Sequence, residues 1–308
     1  MRLLTVIKER TLTTLLIGLF LTGVASAQAP TFDTPQKAVA SLRAALESEH
    51  NTELLNLFGD ETRSLLDNAD EAEMAESRRL LNLLFEERWA LSETENGNRL
   101  LRLGLEGWPF PVPLVADNST WRFDTKAGLE EISNRRIGRN ELVAIETCLR
   151  ILDAQESFRL SDPNNDGVRE YSNQFRSSPD KRDGLYWEAE EDEPISPLQE
   201  ALTDSWKYAE ARTEGSPWFG YRFRFLEGQG ADAPGGPFSY TINGHQLAGF
   251  GVIAYPATYG ESGVMTFLIS QNGTVFEKDL GADTKAVAES MKLFNPDATW
   301  EEVAEDVD

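Results

Sequence analysis

Two Asn-Gly dipeptides constrain the last third of this chain more than any other local feature. Asn243-Gly244 and Asn272-Gly273 each stand between strand-like runs. A two-residue turn of this composition takes positive φ at both centres, a geometry that matches the twist of antiparallel strands. The spacing therefore predicts pairing of 238–242 with 246–254, and of 263–270 with 274–278. Tyr221, Phe223 and Phe225 alternate with arginines and add a further strand. An antiparallel sheet is the expected product.

The first part of the chain has a different period. Thr34-Pro35 reads as an N-cap followed by proline at the first helical position. Ala38, Val39, Leu42, Ala45 and Leu46 then mark one helical face, and helical stretches follow at 52–66 and 71–85. Beyond Gly97 the apolar residues Leu101, Leu103 and Leu105 alternate, as in a strand. Prolines 109, 111 and 113 keep 108–113 out of any central strand and make it an edge segment or a bend. Segments 113–115 and 120–123 form a hairpin around Asp117-Asn118-Ser119.

Helices followed by strands give an α+β class. The expected N-terminal module, 28–138, sets helices against a small curved antiparallel sheet. By element order and the strand Trp121-Arg122-Phe123-Asp124 it resembles the NTF2-like, cone-shaped fold. Residues 128–138 read as a charged connection. A long helix over 140–160 follows, with Leu142, Ile145, Leu149 and Leu152 as its apolar face. The C-terminal module, 139–308, packs this helix on the antiparallel sheet. With Gly220-Tyr221-Arg222-Phe223 and the 263–276 hairpin, it resembles the soluble head of type IV pilin-like proteins without their hydrophobic stalk. Asp283 caps a final helix to Leu293, with Ala286, Val287, Ser290 and Met291 turned inward.

Residues 1–27 carry an export pattern. Arg2, Lys8 and Arg10 precede an apolar run from Leu12 to Leu21, and Ala25-Ser26-Ala27 supplies small residues for signal peptidase. The run is too short for the roughly 20 residues that span a bilayer. A signal peptide is expected, with a periplasmic or secreted product and no membrane span after cleavage. The whole chain has 29 Lys and Arg against 52 Asp and Glu, a net charge of −23. Such an acidic chain is a poor partner for nucleic acid.

Five strings carry a resemblance to a known family. They are 108–115 (Trp108-Pro109-Phe110-Pro111-Val112-Pro113-Leu114-Val115), 134–142 (Asn134-Arg135-Arg136-Ile137-Gly138-Arg139-Asn140-Glu141-Leu142) and 181–187 (Lys181-Arg182-Asp183-Gly184-Leu185-Tyr186-Trp187). Ala233-Pro234-Gly235-Gly236 is the fourth, and Tyr255-Pro256-Ala257-Thr258-Tyr259-Gly260 with 263–267 is the fifth. Through them the chain resembles the DUF2950 family of exported bacterial proteins, over about residues 30 to 303. That family has no assigned activity, so the resemblance implies export more than function.

The chemistry legible in the residues is sparse. With one cysteine and two histidines the chain lacks a Cys/His zinc set and any internal disulfide. Cys148 lies among apolar residues and reads as a buried thiol. His50 and His245 sit in polar or turn contexts, and no G-x-S-x-G elbow surrounds a serine. The most site-like string is 162–170. Asp162, Asn164, Asp166 and Glu170 place oxygens at positions 1, 3, 5 and 9 of a calcium loop, Gly167 takes the sharp turn at 6, and Val168 offers a carbonyl at 7. Asn173 stands where an EF-hand has a bidentate glutamate, so Asp180 or Asp183 would have to complete the shell. Two readings follow: a weak calcium site, or an Asx-rich turn that needs no ion. No cofactor is otherwise required. Arg135, Arg136 and Arg139 form a basic cluster suited to an anionic ligand or to carboxylates of the other module.

These features favour a non-catalytic periplasmic binding or assembly-assisting protein, with an envelope protein or ligand as partner. The alternatives are a hydrolase using acids in an interdomain cleft and a small-ligand carrier with an N-terminal pocket. An exposed aromatic strand edge distinguishes the first, converging acids the second, and a closed apolar cavity the third.

Overall fold

A computed structural model describes residues 30–48, 50–62, 71–189, 193–203 and 215–304. The expected signal segment, 1–27, lies outside the described residues. Contacts divide the chain into two compact units, one ending at Leu129 and the other starting at Glu130. Both mix helices with antiparallel sheet, so the class is α+β.

In the first unit, helix α1 (Pro35–Glu47) starts where the Thr34 hydroxyl accepts the Lys37 N–H at 3.3 Å, with Pro35 in the first turn. Helix α2 (Thr52–Phe58), a 3-10 turn (Asp60–Thr62) and α3 (Glu71–Glu87) follow. The sheet comprises β1 (Trp89–Glu93), β2 (Arg99–Leu103), β3 (Trp108–Pro109), β4 (Leu114–Asp117) and β5 (Thr120–Phe123). Its order is β1-β2-β4-β5, with β3 also on β2. The proline-rich segment thus supplies a two-residue edge strand, as ladder chemistry requires of proline. Asn118 takes φ 54° in the β4–β5 turn. Ala38, Val39 and Leu42 of α1 meet Leu101, Leu103, Leu114 and Phe123 of the sheet in one buried cluster.

Helix α4 (Thr125–Ser161) is continuous over 37 residues. Residues 128–138, expected as a connection, are helical, and the units divide inside this helix, upstream of the predicted module boundary at 138. Its charged residues are mostly long, straight-chain helix formers, and Glu131 pairs with Arg135 one turn on at 2.7 Å. Gly128 serves close packing: a Cβ there would stand 2.6 Å from Val112 Cγ2.

The second unit continues through α5 (Pro197–Ala201), β6 (Tyr221–Leu226), β7 (Gly228–Gln229) and β8 (Phe238–Ser239). Then come β9 (Gly251–Pro256), β10 (Met265–Ser270), β11 (Val275–Asp279), α6 (Thr284–Ser290), β12 (Leu293–Phe294) and β13 (Glu301–Glu302). The main sheet has the order β13-β11-β10-β9-β6, all antiparallel, and a small sheet has the order β12-β7-β8. Alternation assigns the two faces. Val252, Ala254, Phe267, Ile269 and Tyr221 join Cys148, Ile151 and Phe158 of α4. Ile253, Tyr255, Leu268 and Phe276 join Ala288, Phe294 and Trp300 on the other side. Every residue of β9 is buried because both faces are covered.

Three local expectations change. The apolar face of α4 is offset: Leu142 and Leu149 are 50% and 42% exposed, while Ala144, Cys148, Ile151, Ala154 and Phe158 are buried. Small side chains let the helix approach the sheet, and the leucines are left flanking the contact. Asn243-Gly244 does make a tight turn, with φ 53° and 90° and paired Ile242–His245 backbone bonds of 2.8 and 3.0 Å. The ladder does not extend along 246–254, since β9 already has β6 and β10 on its two edges and β8 pairs with β7. The second hairpin forms as expected, with Ile269 opposite Val275, but only Gly273 there has positive φ. Finally, α6 ends at Ser290 with Thr284 and Ala288 buried, and Leu293 belongs to β12.

One cross-strand pair opposes the fold. Glu277 on β11 lies directly opposite Glu301 on β13, and like charges so placed repel. Burial first, then Glu141 and Glu301, push the Glu277 carboxyl above the usual glutamate range. A raised folded pKa favours folding at acid pH, and that contribution fades as pH rises through the folded value. Glu277→Gln is therefore expected to raise Tm at pH 7, with the gain vanishing below about pH 4. Thermal melts across this range check it; an unchanged Tm at pH 7 would refute it.

Candidate functional site

The string 162–170 leaves the end of α4 as a loop. Asp162, Asn165 and Gly167 adopt φ of 46°, 55° and 82°, which bends the chain back on itself. Asp162 Oδ2 accepts the Gly167 N–H (3.1 Å), and Asp166 Oδ1 accepts the Val168 N–H (2.7 Å). Asn164 Nδ2 donates to Asp166 Oδ2 at 3.0 Å. Val168 thus takes part through its N–H. Asp183, a candidate to close the loop's oxygen shell, instead accepts the Ser178 N–H at 2.8 Å.

The residue that joins this loop is one the loop pattern did not include. His245 Nδ1 lies 3.3 Å from Glu170 Oε1 and 4.0 Å from Asp166 Oδ2. The Asn243-Gly244 turn delivers it, and Glu170 Oε2 holds the turn by accepting the Gln246 N–H at 2.7 Å. The Tyr171 N–H donates to the Gln246 carbonyl at 3.0 Å. One donor atom from each of Asp166, Glu170 and His245 falls within 4.8 Å of the others. Nothing near His245 in sequence marks this role; a hairpin tip brings it across 75 positions.

The loop is anchored from beneath. Gln155 of α4, wholly buried, donates to the Ser172 carbonyl (2.8 Å) and accepts the Ser172 N–H (2.9 Å). Of the arginine cluster, Arg135 is paired on its own helix, while Arg136 and Arg139 are exposed. Arg139 lines a groove of about 1040 Å³ with Leu142, Leu149 and Val303. Cys148 is fully buried and its thiol is pushed up to about 12 by burial, which removes the thiolate needed for nucleophilic work.

A second feature lies at the edge of the main sheet. Tyr221 exchanges backbone bonds with Trp218 (2.8 and 2.9 Å), so its N–H and C=O point away from β9. The two-residue repeat aims those of Phe223 and Phe225 the same way. Pro256 stands opposite Tyr221, where no N–H is demanded of β9. Among the described residues no strand pairs with this outer edge. Beside it is a cleft of about 670 Å³ whose lining includes Ile151, Phe175, Tyr186, Leu198, Trp218 and Phe223, with Arg176, Arg222 and Glu188 as charged members.

No helix among the described residues is long and apolar enough to cross a membrane. No curated protein and no solved structure matches the chain, so neither the NTF2-like nor the pilin-head likeness gains support. The description "Protein of unknown function (DUF2950)" matches residues 29–303, nearly the whole length, and the chain belongs to that family.

Proposed function

We propose that this is an exported, non-catalytic binding or assembly-assisting protein that takes an extended peptide segment of an envelope partner along β6. The observation that carries the reading is the outer edge of β6. It presents the Phe223 N–H and C=O and the Phe225 N–H beside an aromatic cleft, without a paired strand among the described residues. Such an edge gains affinity from main-chain hydrogen bonds and specificity from pockets for alternate side chains. The cleft volume lies in the range of ligand pockets, about 300–1,000 Å³. Its described lining includes one carboxylate, Glu188, and no histidine or cysteine, which suits holding a ligand better than acid–base chemistry.

Selection from a random peptide display library tests this. Enriched peptides are expected to quench tryptophan fluorescence saturably, and Phe223→Asp is expected to weaken them at least about tenfold, or about 1.4 kcal/mol. N-methylation at alternate peptide positions should abolish binding in one register and spare it in the other. If no peptide is enriched, or if both methylation registers bind equally, β6 is not the recognition edge.

A further inference from the structure

We infer that Asp166, Glu170 and His245 form a binding site for a borderline divalent transition metal, with Zn²⁺ as its probe, rather than an all-oxygen loop site. This is independent of the β6 reading. The donors come from two segments: two carboxylates from the loop after α4 and one imidazole nitrogen from the tip of the 242–245 turn.

The spacing suits one small cation. Four ligands placed tetrahedrally at about 2.0–2.1 Å from zinc are about 3.4 Å from one another. Glu170 Oε1 is 3.3 Å from His245 Nδ1, Asp166 Oδ2 is 4.0 Å from it, and all three donor atoms lie within 4.8 Å. Small rotations of half-exposed side chains close the remainder. Asp166 and His245 keep 34% and 38% of their side-chain surface, so water can fill the fourth position.

Each carboxylate is already oriented by its other oxygen. Glu170 Oε2 is held by the Gln246 N–H, and Asp166 Oδ1 by the Val168 N–H. This leaves Oε1 and Oδ2 facing the imidazole. Hydrogen bonds of this sort, one bond removed from the ion, fix ligand orientation in metal sites. Asp166 Oδ2 also accepts from Asn164 Nδ2 and retains a second lone pair for a metal.

Two carboxylates converge on one imidazole nitrogen, an arrangement that a shared cation suits. The nitrogen decides the class of ion. Oxygens alone suit Ca²⁺, which takes about six to eight of them; imidazole beside carboxylate suits zinc and its neighbours.

Calorimetric titration of the chelator-treated full chain with Zn²⁺, and separately with Ca²⁺, tests the site. One equivalent of Zn²⁺ is expected to bind, reversed by EDTA. His245→Ala and Asp166→Asn should each weaken it at least tenfold, while His50→Ala, at the only other histidine, should leave it unchanged. Circular dichroism establishes that each variant is folded. Should one variant fail to fold, the other, together with the shift of the His245 imidazole proton signals on Zn²⁺ addition, decides. Absent Zn²⁺ binding, binding that survives His245→Ala in folded protein, or Ca²⁺ binding tighter than Zn²⁺ would each overturn the assignment.

Discussion

Gln155→Met is expected to cost about 2–4 kcal/mol of stability, because it strands two backbone groups at once. The glutamine side chain is fully buried and bonds both the N–H and the C=O of Ser172, itself 2% exposed. Methionine fills much the same space but offers neither partner, so a buried donor and a buried acceptor are left unmade. At about 2–4 °C per kcal/mol for a protein of this size, Tm should fall by about 5–15 °C. Thermal and urea denaturation check this; a fall of less than about 2 °C would mean that water replaces the amide. Because the same amide holds the loop that carries Asp166 and Glu170, the variant should also bind Zn²⁺ more weakly. Gln155→Glu separates the two contributions. Ionised, it keeps the acceptor for the Ser172 N–H but loses the donor and buries a charge; protonated at low pH, it regains an O–H donor, so its loss of stability should shrink as pH falls, whereas that of Gln155→Met should not.

Gly184→Ala should be of similar size for a different reason. An added Cβ would meet the backbone nitrogen of Ser177 and stand 2.5 Å from the Arg176 carbonyl carbon. Both obstacles are main chain, so no side chain can rotate aside. Gly184 also closes a clasp in which its N–H donates to the Ser177 hydroxyl (2.9 Å) and that hydroxyl donates back to the Gly184 carbonyl (3.2 Å). Overpacking of this kind costs typically about 1–3 kcal/mol and sometimes more. We expect the upper end, because Arg176 and Tyr186 are bridged on either side of the clasp and resist the required shift. A melt indistinguishable from wild type would show that 176–186 yields freely. Residues 176, 186 and their neighbours also line the cleft beside β6, so the variant should weaken selected peptides as well.

The parts of the fold legible in the residues share one property: their cause is local. Thr34 and Pro35 fix a helix start through the geometry of the first turn, and the helix begins there. Leu101 and Leu103 alternate and are buried on one face, whereas Leu105, expected to continue the strand, lies beyond its end and is exposed. The proline run yields only a short edge strand, and the Asn243-Gly244 turn takes the positive φ values that its chemistry favours. Cys148 is buried, but with Ala144 and Ile151 rather than with Leu142 and Leu149. Where reading by the largest apolar residues fails, as on α4, the partner surface decided. Leu142 and Leu149 have the greater hydrophobic area, but Ala144 and Cys148 fit against a sheet that is covered on both faces.

The loop at 162–170 marks the limit of such reading. Its Asp, Asn and Gly residues specify a turn by their own backbone preferences, and the turn is there. That turn chemistry carries no information about a histidine 75 positions away. The sequence by itself determined the mixed α+β class, the start of α1 and the Asn243-Gly244 turn, because these rest on local patterning and backbone stereochemistry, and its longer strings carried the family membership. Tertiary structure alone decided which helix face is buried, which strand edge is left unpaired, and that His245 meets Asp166 and Glu170. Those outcomes depend on how distant segments compete for the same space, and no short stretch of chain encodes that competition.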